Sequence, residues 1–126
     1  MEQHYRFIVH DVYDVVAANR FGMEAHRPLI VVQAKANVIA KPLLKIANPM
    51  LVISTLEKTS DEKELLLRVR SVSGKTEDLS IDWLTLKPVN VIACTAGGEQ
   101  EESAGKTFEV APYGMKTLRL IFKKKP

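Results

Sequence analysis

Two pairs of neighbouring carboxylates are the residues of this sequence that could perform acid and base chemistry. Asp11 lies three positions before Asp14, and Glu101 is followed directly by Glu102. Glycoside hydrolysis needs two carboxyl groups held about 5 to 10 Å apart across a bond. Catalytic carboxylates normally come from the ends of different elements, whereas glutamates in a glycine-flanked loop are usually solvated. We therefore assign no catalytic residue to either pair.

The histidines are the candidate metal ligands. The chain has three of them, His4, His10 and His26, and only His10 has carboxylates close by in the sequence, Asp11 and Asp14. Zinc sites use three or four ligands at recognisable spacings, with carboxylates orienting the imidazole rings. The three histidines show no such spacing, so we predict no metal or cofactor site in this chain.

The single cysteine, Cys94, lies among apolar residues in VNVIACT. One cysteine can form no internal disulfide, which excludes a small disulfide-stapled scaffold. A reactive thiolate needs an electropositive, partly open setting, so we predict that Cys94 is buried and unreactive. The sequence also lacks a Gly-rich phosphate loop, a G-x-S-x-G elbow and an H-E-x-x-H helix.

Composition and charge limit the class of protein and its partners. With 126 residues, 46% hydrophobic and 26% charged, the chain is expected to form one globular domain over residues 1–126. The net charge of +3 equals the charge of the lysine tail, Lys123 to Lys125. Nucleic-acid binders carry basic faces with stacking aromatics, a pattern absent here, so no nucleic-acid partner is predicted.

Membrane and export signals are also missing from the sequence. The first ten residues are polar and mixed, unlike a secretory leader. No apolar run approaches the roughly 20 residues needed to cross a bilayer. No membrane partner is expected, the cytoplasm is the default compartment, and self-association through an exposed face stays open.

The periodicity predicts one short helix and many strands. Between residues 13 and 26 the spacing of apolar residues allows a short helix, which Gly22 weakens and Pro28 ends. Before it, HYRFIVH alternates like a strand; after it, LIVVQAKANVIA predicts one or two strands and KPLLKIANP a connection.

The second half of the chain has the clearest strand patterns. Residues 50–56 are apolar on both alternating sets, which predicts a strand in the middle of the structure. ELLLRVRS predicts a strand that is buried on one face. Leu79, Ile81 and Trp83 form the inward set of a further predicted strand, in which Trp83 anchors the core. Three further strands are predicted: VNVIACT, residues 107–111 and a last strand that runs through Phe122. Pro112 and Gly114 predict a turn in which the glycine accepts a positive φ. The predicted fold is all-β, an antiparallel β-sandwich.

Several segments in one order resemble a known family. They are HYRF, AHRPL, VISTLEKTSDEKELLLRVRSVSG and VAPYGMKTLRL. Together they resemble the C-terminal β-domain of glycoside hydrolase family 38 α-mannosidases. The closing Pro-Phe-Glu-Ile-x-Thr-Leu-x-Leu motif of that family is matched best, by Pro112, Thr117, Leu118 and Leu120.

The other matching positions are spread along the chain. They are His4 and Phe7, Pro28 and Leu29, Leu56 and Lys58, and Leu67, Arg68 and Gly74. The sequence departs from the pattern at Gly114, where the family has glutamate, at Tyr113, where it has phenylalanine, and in AHRPL, which lacks the family's asparagine.

The resemblance implies a piece of a larger enzyme. Members of the family carry their zinc ion, nucleophilic aspartate and sugar pocket in an N-terminal α/β-barrel domain, of which this chain has no counterpart. It implies that residues 1–126 are a non-catalytic C-terminal domain of a larger glycoside hydrolase, packed against the parent's other domains and reaching carbohydrate substrate only through the parent. Leu66 and Leu84 are the predicted docking residues, and the loop from Ala96 to Lys106 is the candidate for reaching a substrate entrance.

Two other functions remain open from the residues. An independent carbohydrate-binding or protein-interaction module would need an exposed aromatic platform, for which only Tyr113 qualifies because Trp83 points inward. A chain that is itself a hydrolase would need a convergent acid and base, and none can be named.

Overall fold

The chain divides into two compact units, residues 1–39 and residues 40–126. A computed structural model describes residues 5–27, 41–97, 99 and 107–124. The strands predicted in LIVVQAKANVIA lie outside these described residues.

The first unit contains the predicted helix, α1, over Val15–His26. Asp14 caps its N-terminus, because one carboxylate oxygen accepts hydrogen bonds from the amides of Val16 and Ala17 at 2.8 and 3.2 Å. Arg27 ends it in a non-helical conformation, as expected for the residue before a proline. In the part of the chain that the structure describes, no helix is long and apolar enough to cross a membrane.

The strand predicted in HYRFIVH is wrong for its described part. Residues 5–10 are exposed and belong to no strand. Alternation alone does not make a strand, because its backbone N–H and C=O groups must also pair with a neighbour. No described strand pairs with residues 5–10.

The second unit is an antiparallel β-sandwich. A four-stranded sheet of order β2-β3-β8-β6 and two two-stranded ladders, β1-β5 and β4-β7, contribute to one core. The strands are β1 Leu44–Ile46, β2 Leu51–Lys58, β3 Glu64–Ser71, β4 Glu77–Leu79, β5 Ile81–Trp83, β6 Asn90–Cys94, β7 Phe108–Val110 and β8 Met115–Ile121.

The core lies between the four-stranded sheet and the two ladders. On β3 and β8, alternate leucines and valines point into it, and Leu67, Val69, Leu118 and Leu120 are fully buried. Leu79 and Val110 are buried from the ladder side. The strand predicted in ELLLRVRS and the predicted last strand are therefore confirmed as β3 and β8.

Strand β2 differs from its predicted place and pattern. It lies at an edge of the described four-stranded sheet rather than in the middle. A bulge between Ile53 and Thr55 inserts one residue, so that Ile53 lies opposite Val69 and Leu56 opposite Leu67. Paired residues share a face, so the bulge shifts the alternation by one position and brings Ile53 and Leu56 to the same side.

The strand predicted through Leu79, Ile81 and Trp83 is two short strands. Ser80 interrupts it: β4 pairs with β7, and β5 pairs with β1. The predicted connection KPLLKIANP thus contains a strand, β1, whose Leu44 lies opposite Trp83. Trp83 is half-buried against the core, and Leu79 is 1% exposed.

Truncation of Leu118 should destabilise the second unit strongly. Leu118 is completely buried, so Leu118→Ala is expected to lower the free energy of unfolding by about 2 to 5 kcal/mol. Leu56→Ala is the matched control: the same side chain is 43% exposed there, and the expected loss is about 1 kcal/mol or less. Urea denaturation measures both, and equal losses would contradict this core.

Candidate functional site

The structure gives Asp14 a structural role in place of the acid and base chemistry considered for it. Its carboxylate is occupied as the cap of α1. Asp11 is exposed, and the ring of His10 contacts Tyr13 edge-on, with 6.3 Å between the centroids. Glu101 and Glu102 lie outside the described residues, as does His4.

No metal centre forms among the described residues. Within them, no group of three or more histidine, cysteine or acidic side chains could hold a metal ion. His26 is exposed in the last turn of α1.

The thiol of Cys94 is buried, as predicted. The residue is 3% exposed at the end of β6, and its sulfur donates to the carbonyl oxygen of Ile92 at 3.6 Å. After it, the amide of Thr95 donates to the carbonyl of Glu99 at 2.8 Å. Arg68 donates to the carbonyl of Ala96 at 3.4 Å. Most of the predicted reaching loop, up to Lys106, lies outside the described residues.

Leu66 was the wrong choice for an exposed docking residue. It is only 9% exposed, because β3 is an inner strand and Leu66 is flanked by the long side chains of its cross-strand neighbours, Glu57 and Arg119. Leu84 is 51% exposed, as expected of a surface residue. Five positions on, Val89 is 53% exposed in the same connection between β5 and β6.

Three turns meet at one end of the sandwich. We call them the turn cluster: Asn48, residues 71–77 and residues 111–114. The amide of Tyr113 donates to the carbonyl of Ser73 at 2.9 Å, and the amide of Ser71 donates to the carbonyl of Gly114 at 2.8 Å. These bonds join the turn before β8 to the turn after β3.

Glu77 connects Asn48 to the rest of the turn cluster. Its carboxylate accepts a hydrogen bond from the side-chain amide of Asn48 at 2.7 Å. The carbonyl oxygen of the same Asn48 side chain accepts from the amide of Met50 at 3.0 Å. Hydrogen bonds from Ser73 and Asn48, with the charge of Lys75, hold the pKa of Glu77 below its ordinary value of 4.5.

The positive φ of the turn lies on Tyr113 rather than on Gly114. Tyr113 has φ 52°, a conformation that tyrosine rarely adopts. Gly114 is required for a different reason: a Cβ there would lie 3.0 Å from the carbonyl oxygen of Ala111 and 3.1 Å from its Cβ. The sequence pattern located the turn correctly but not the residue that bears the unusual backbone.

Comparison with protein families gives one match. Residues 50–118, more than half of the chain, match the family described as "Glycosyl hydrolases family 38 C-terminal beta sandwich domain". Neither the curated proteins nor the solved structures contain a match to this chain. The matched residues contain β2 to β7 and the first half of β8, and exclude HYRF and AHRPL.

Gly114→Ala should destabilise the turn cluster. The added Cβ would press on the backbone and Cβ of Ala111, which cannot move without breaking the bond from the Gly114 amide to the Ala111 carbonyl. We expect a loss of about 1 to 3 kcal/mol in the free energy of unfolding by urea denaturation. Gly97→Ala is the control, since the one described atom near its Cβ would be the Thr95 hydroxyl, at 3.7 Å. A Gly114→Ala chain as stable as the Gly97→Ala chain would refute the close approach.

Glu77 should titrate below 4.5 in the folded chain. Because its folded pKa is lowered, the carboxylate stabilises the fold above its ordinary pKa, and this contribution is lost as the pH falls through the lower folded value. NMR titration of the Glu77 carboxyl carbon measures the midpoint. Asn48→Asp keeps an acceptor for the Met50 amide but removes the donor and adds negative charge, so it should raise the midpoint. A midpoint at or above 4.5 in the unchanged chain would contradict these contacts.

Proposed function

The chain belongs to the family of the glycosyl hydrolases family 38 C-terminal beta sandwich domain, and from this we propose that it is a non-catalytic domain of an α-mannosidase-like glycoside hydrolase. In this proposal it packs against the catalytic domain of the parent enzyme and supports it. The observation that carries the proposal is the match over residues 50–118, which contains the whole of β2, β3 and β6 and the buried Leu118 of β8.

The core explains how such a domain could support others. Its two ladders and its four-stranded sheet share one apolar cluster that includes the fully buried Leu67, Val69, Leu118 and Leu120. A sheet with a filled core keeps its shape, so the turns and connections at its surface stay at fixed positions. A rigid support of this kind needs no catalytic group of its own.

The connection between β5 and β6 is the surface we propose for docking. Leu84 and Val89, both more than half exposed, lie on it five positions apart. The backbone of this segment is held in place, because the amide of Leu84 donates to the carbonyl of Leu43 at 3.0 Å and the amide of Val89 donates to the carbonyl of Ile121 at 2.7 Å. Apolar side chains held outward on a fixed backbone suit burial against another domain.

The chemistry of the parent enzyme lies elsewhere in this proposal. Zinc ligands and the catalytic aspartate would come from the parent's catalytic domain. The contribution of the present chain is to hold that domain in its working shape. Carbohydrate substrate would be a partner of the parent, and the parent's other domains would be partners of this chain.

An activity assay tests the proposal directly. The chain alone and the longest polypeptide that its reading frame encodes are assayed with an aryl α-mannoside and added zinc. We expect turnover only from the longer polypeptide, because the described residues hold no zinc-binding group.

A paired variant tests the support role in the same assay. Leu84→Asp should shorten the half-life of the longer polypeptide's activity on warming while leaving the unfolding midpoint of the isolated chain nearly unchanged, because Leu84 is half exposed there. Lys87→Asp, at an exposed position of the same connection, is the control. Turnover by the isolated chain, or equal half-lives for both variants, would refute the proposal.

A further inference from the structure

Tyr113 is an exposed aromatic residue on an unusually well-held turn. It is 75% exposed, although its backbone has the positive φ of 52° that tyrosine rarely adopts. Its amide donates to the carbonyl of Ser73, and the amide of the next residue donates to the carbonyl of Ala111, both at 2.9 Å. Unfavourable backbone conformations of this kind persist where the surroundings enforce them, and they are concentrated at binding sites.

The ring of Tyr113 has a defined position against the neighbouring turn. Its hydroxyl end lies across Gly74, where an added Cβ would meet the phenolic oxygen at 3.1 Å and the carbon bearing it at 3.5 Å. Glycine at position 74 therefore leaves room for the ring to lie there. One end of the ring is supported by the turn, and most of its surface remains open to solvent.

Two charged residues lie on the hairpin that carries Gly74, and one of them shares a partner with Tyr113: Ser73 accepts from the Tyr113 amide, and its side chain hydrogen-bonds to Glu77. Lys75 offers an exposed ammonium group one residue beyond Gly74. Glu77, directly opposite Val110 in the β4-β7 ladder, carries a carboxylate whose position is set by the Asn48 amide. The turn cluster thus carries an exposed aromatic ring, a carboxylate acceptor held by Asn48 and an exposed ammonium donor.

The ligand chemistry that fits this combination is a sugar ring. A pyranose has an apolar face of C–H groups that stacks on an aromatic ring and an edge of hydroxyls that donate and accept hydrogen bonds. Among the described residues of the sandwich, Phe108 and Phe122 are buried in the core and Trp83 packs against it, so Tyr113 is the aromatic that offers an exposed face.

We propose that Tyr113, with Lys75 and Glu77, forms a saccharide subsite in which one pyranose ring stacks on the tyrosine. The subsite does not rest on the proposed support role, since it needs only the turn cluster. It would bring carbohydrate to the end of the sandwich formed by the turns at residues 71–77 and 111–114.

NMR titration of the full chain with methyl α-pyranosides of mannose, glucose and galactose tests the subsite. At least one of them should shift the backbone amides of residues 73–77 and 111–114, and glycerol, which has hydroxyls but no ring, should not. No shift with any of the three sugars up to their solubility, or the same shifts with glycerol, would overturn the proposal.

Four variants distinguish an effect of the Tyr113 ring on sugar binding from an effect on the fold. Tyr113→Asn removes the ring but tolerates the positive φ, and it should weaken binding at least tenfold. Gly74→Ala, whose Cβ would displace the ring, should also weaken binding. Tyr113→Phe and Met115→Ala, the latter at a neighbouring position that is 55% exposed, should keep it. Binding that survives in Tyr113→Asn, or that is lost equally in Met115→Ala, would overturn the proposal.

Discussion

The pairing of β3 with β8 is the interaction on which the rest of the sandwich depends. Seven residue pairs join these strands from Glu64↔Ile121 to Arg70↔Met115, and four fully buried side chains of the core lie on them. Both are inner strands, so each has a neighbour on either side and an apolar face against the ladders. Because paired residues share a face, the register that joins Leu67 to Leu118 also decides which side chains of β2 and β6 reach the core. The turn cluster depends on this register too, since it closes the end of the sheet where β3 ends and β8 begins.

The proposed support role and the proposed saccharide subsite are compatible because they use different parts of the sandwich. Leu84 and Val89 lie on the connection between β5 and β6, and Tyr113 lies on the turn before β8. The first surface is apolar and suits another folded domain, whereas the second combines one aromatic ring with charged neighbours. The sheet supplies fixed positions for both. Function in this chain is accordingly expected at its turns and connections.

The sequence correctly predicted the elements that depend on the spacing of neighbouring residues alone. Alternation in ELLLRVRS and in the last strand located β3 and β8, and the apolar spacing before Pro28 located α1. The bulge in β2, the split at Ser80 and the edge position of β2 escaped prediction, because each depends on which distant strand is the partner. Leu66 was misjudged for the same reason, since its burial comes from the flanking strands. The positive φ of Tyr113 runs against residue preference, and only the bonds to the neighbouring turn account for it. For the site, the sequence singled out Tyr113 as the exposed aromatic, but the roles of Gly74 and Glu77 beside it required the structure.

Amide hydrogen exchange, compared between the isolated chain and the longest polypeptide of its reading frame, tests the central claim most directly. The claim is that this sandwich folds around β3 and β8 and docks through the connection that carries Leu84 and Val89. The account predicts strong protection of β3 and β8 in both samples and added protection of residues 84–89 in the longer one alone. Equal exchange of residues 84–89 in both samples, or weak protection of β3 and β8 in the isolated chain, would contradict it.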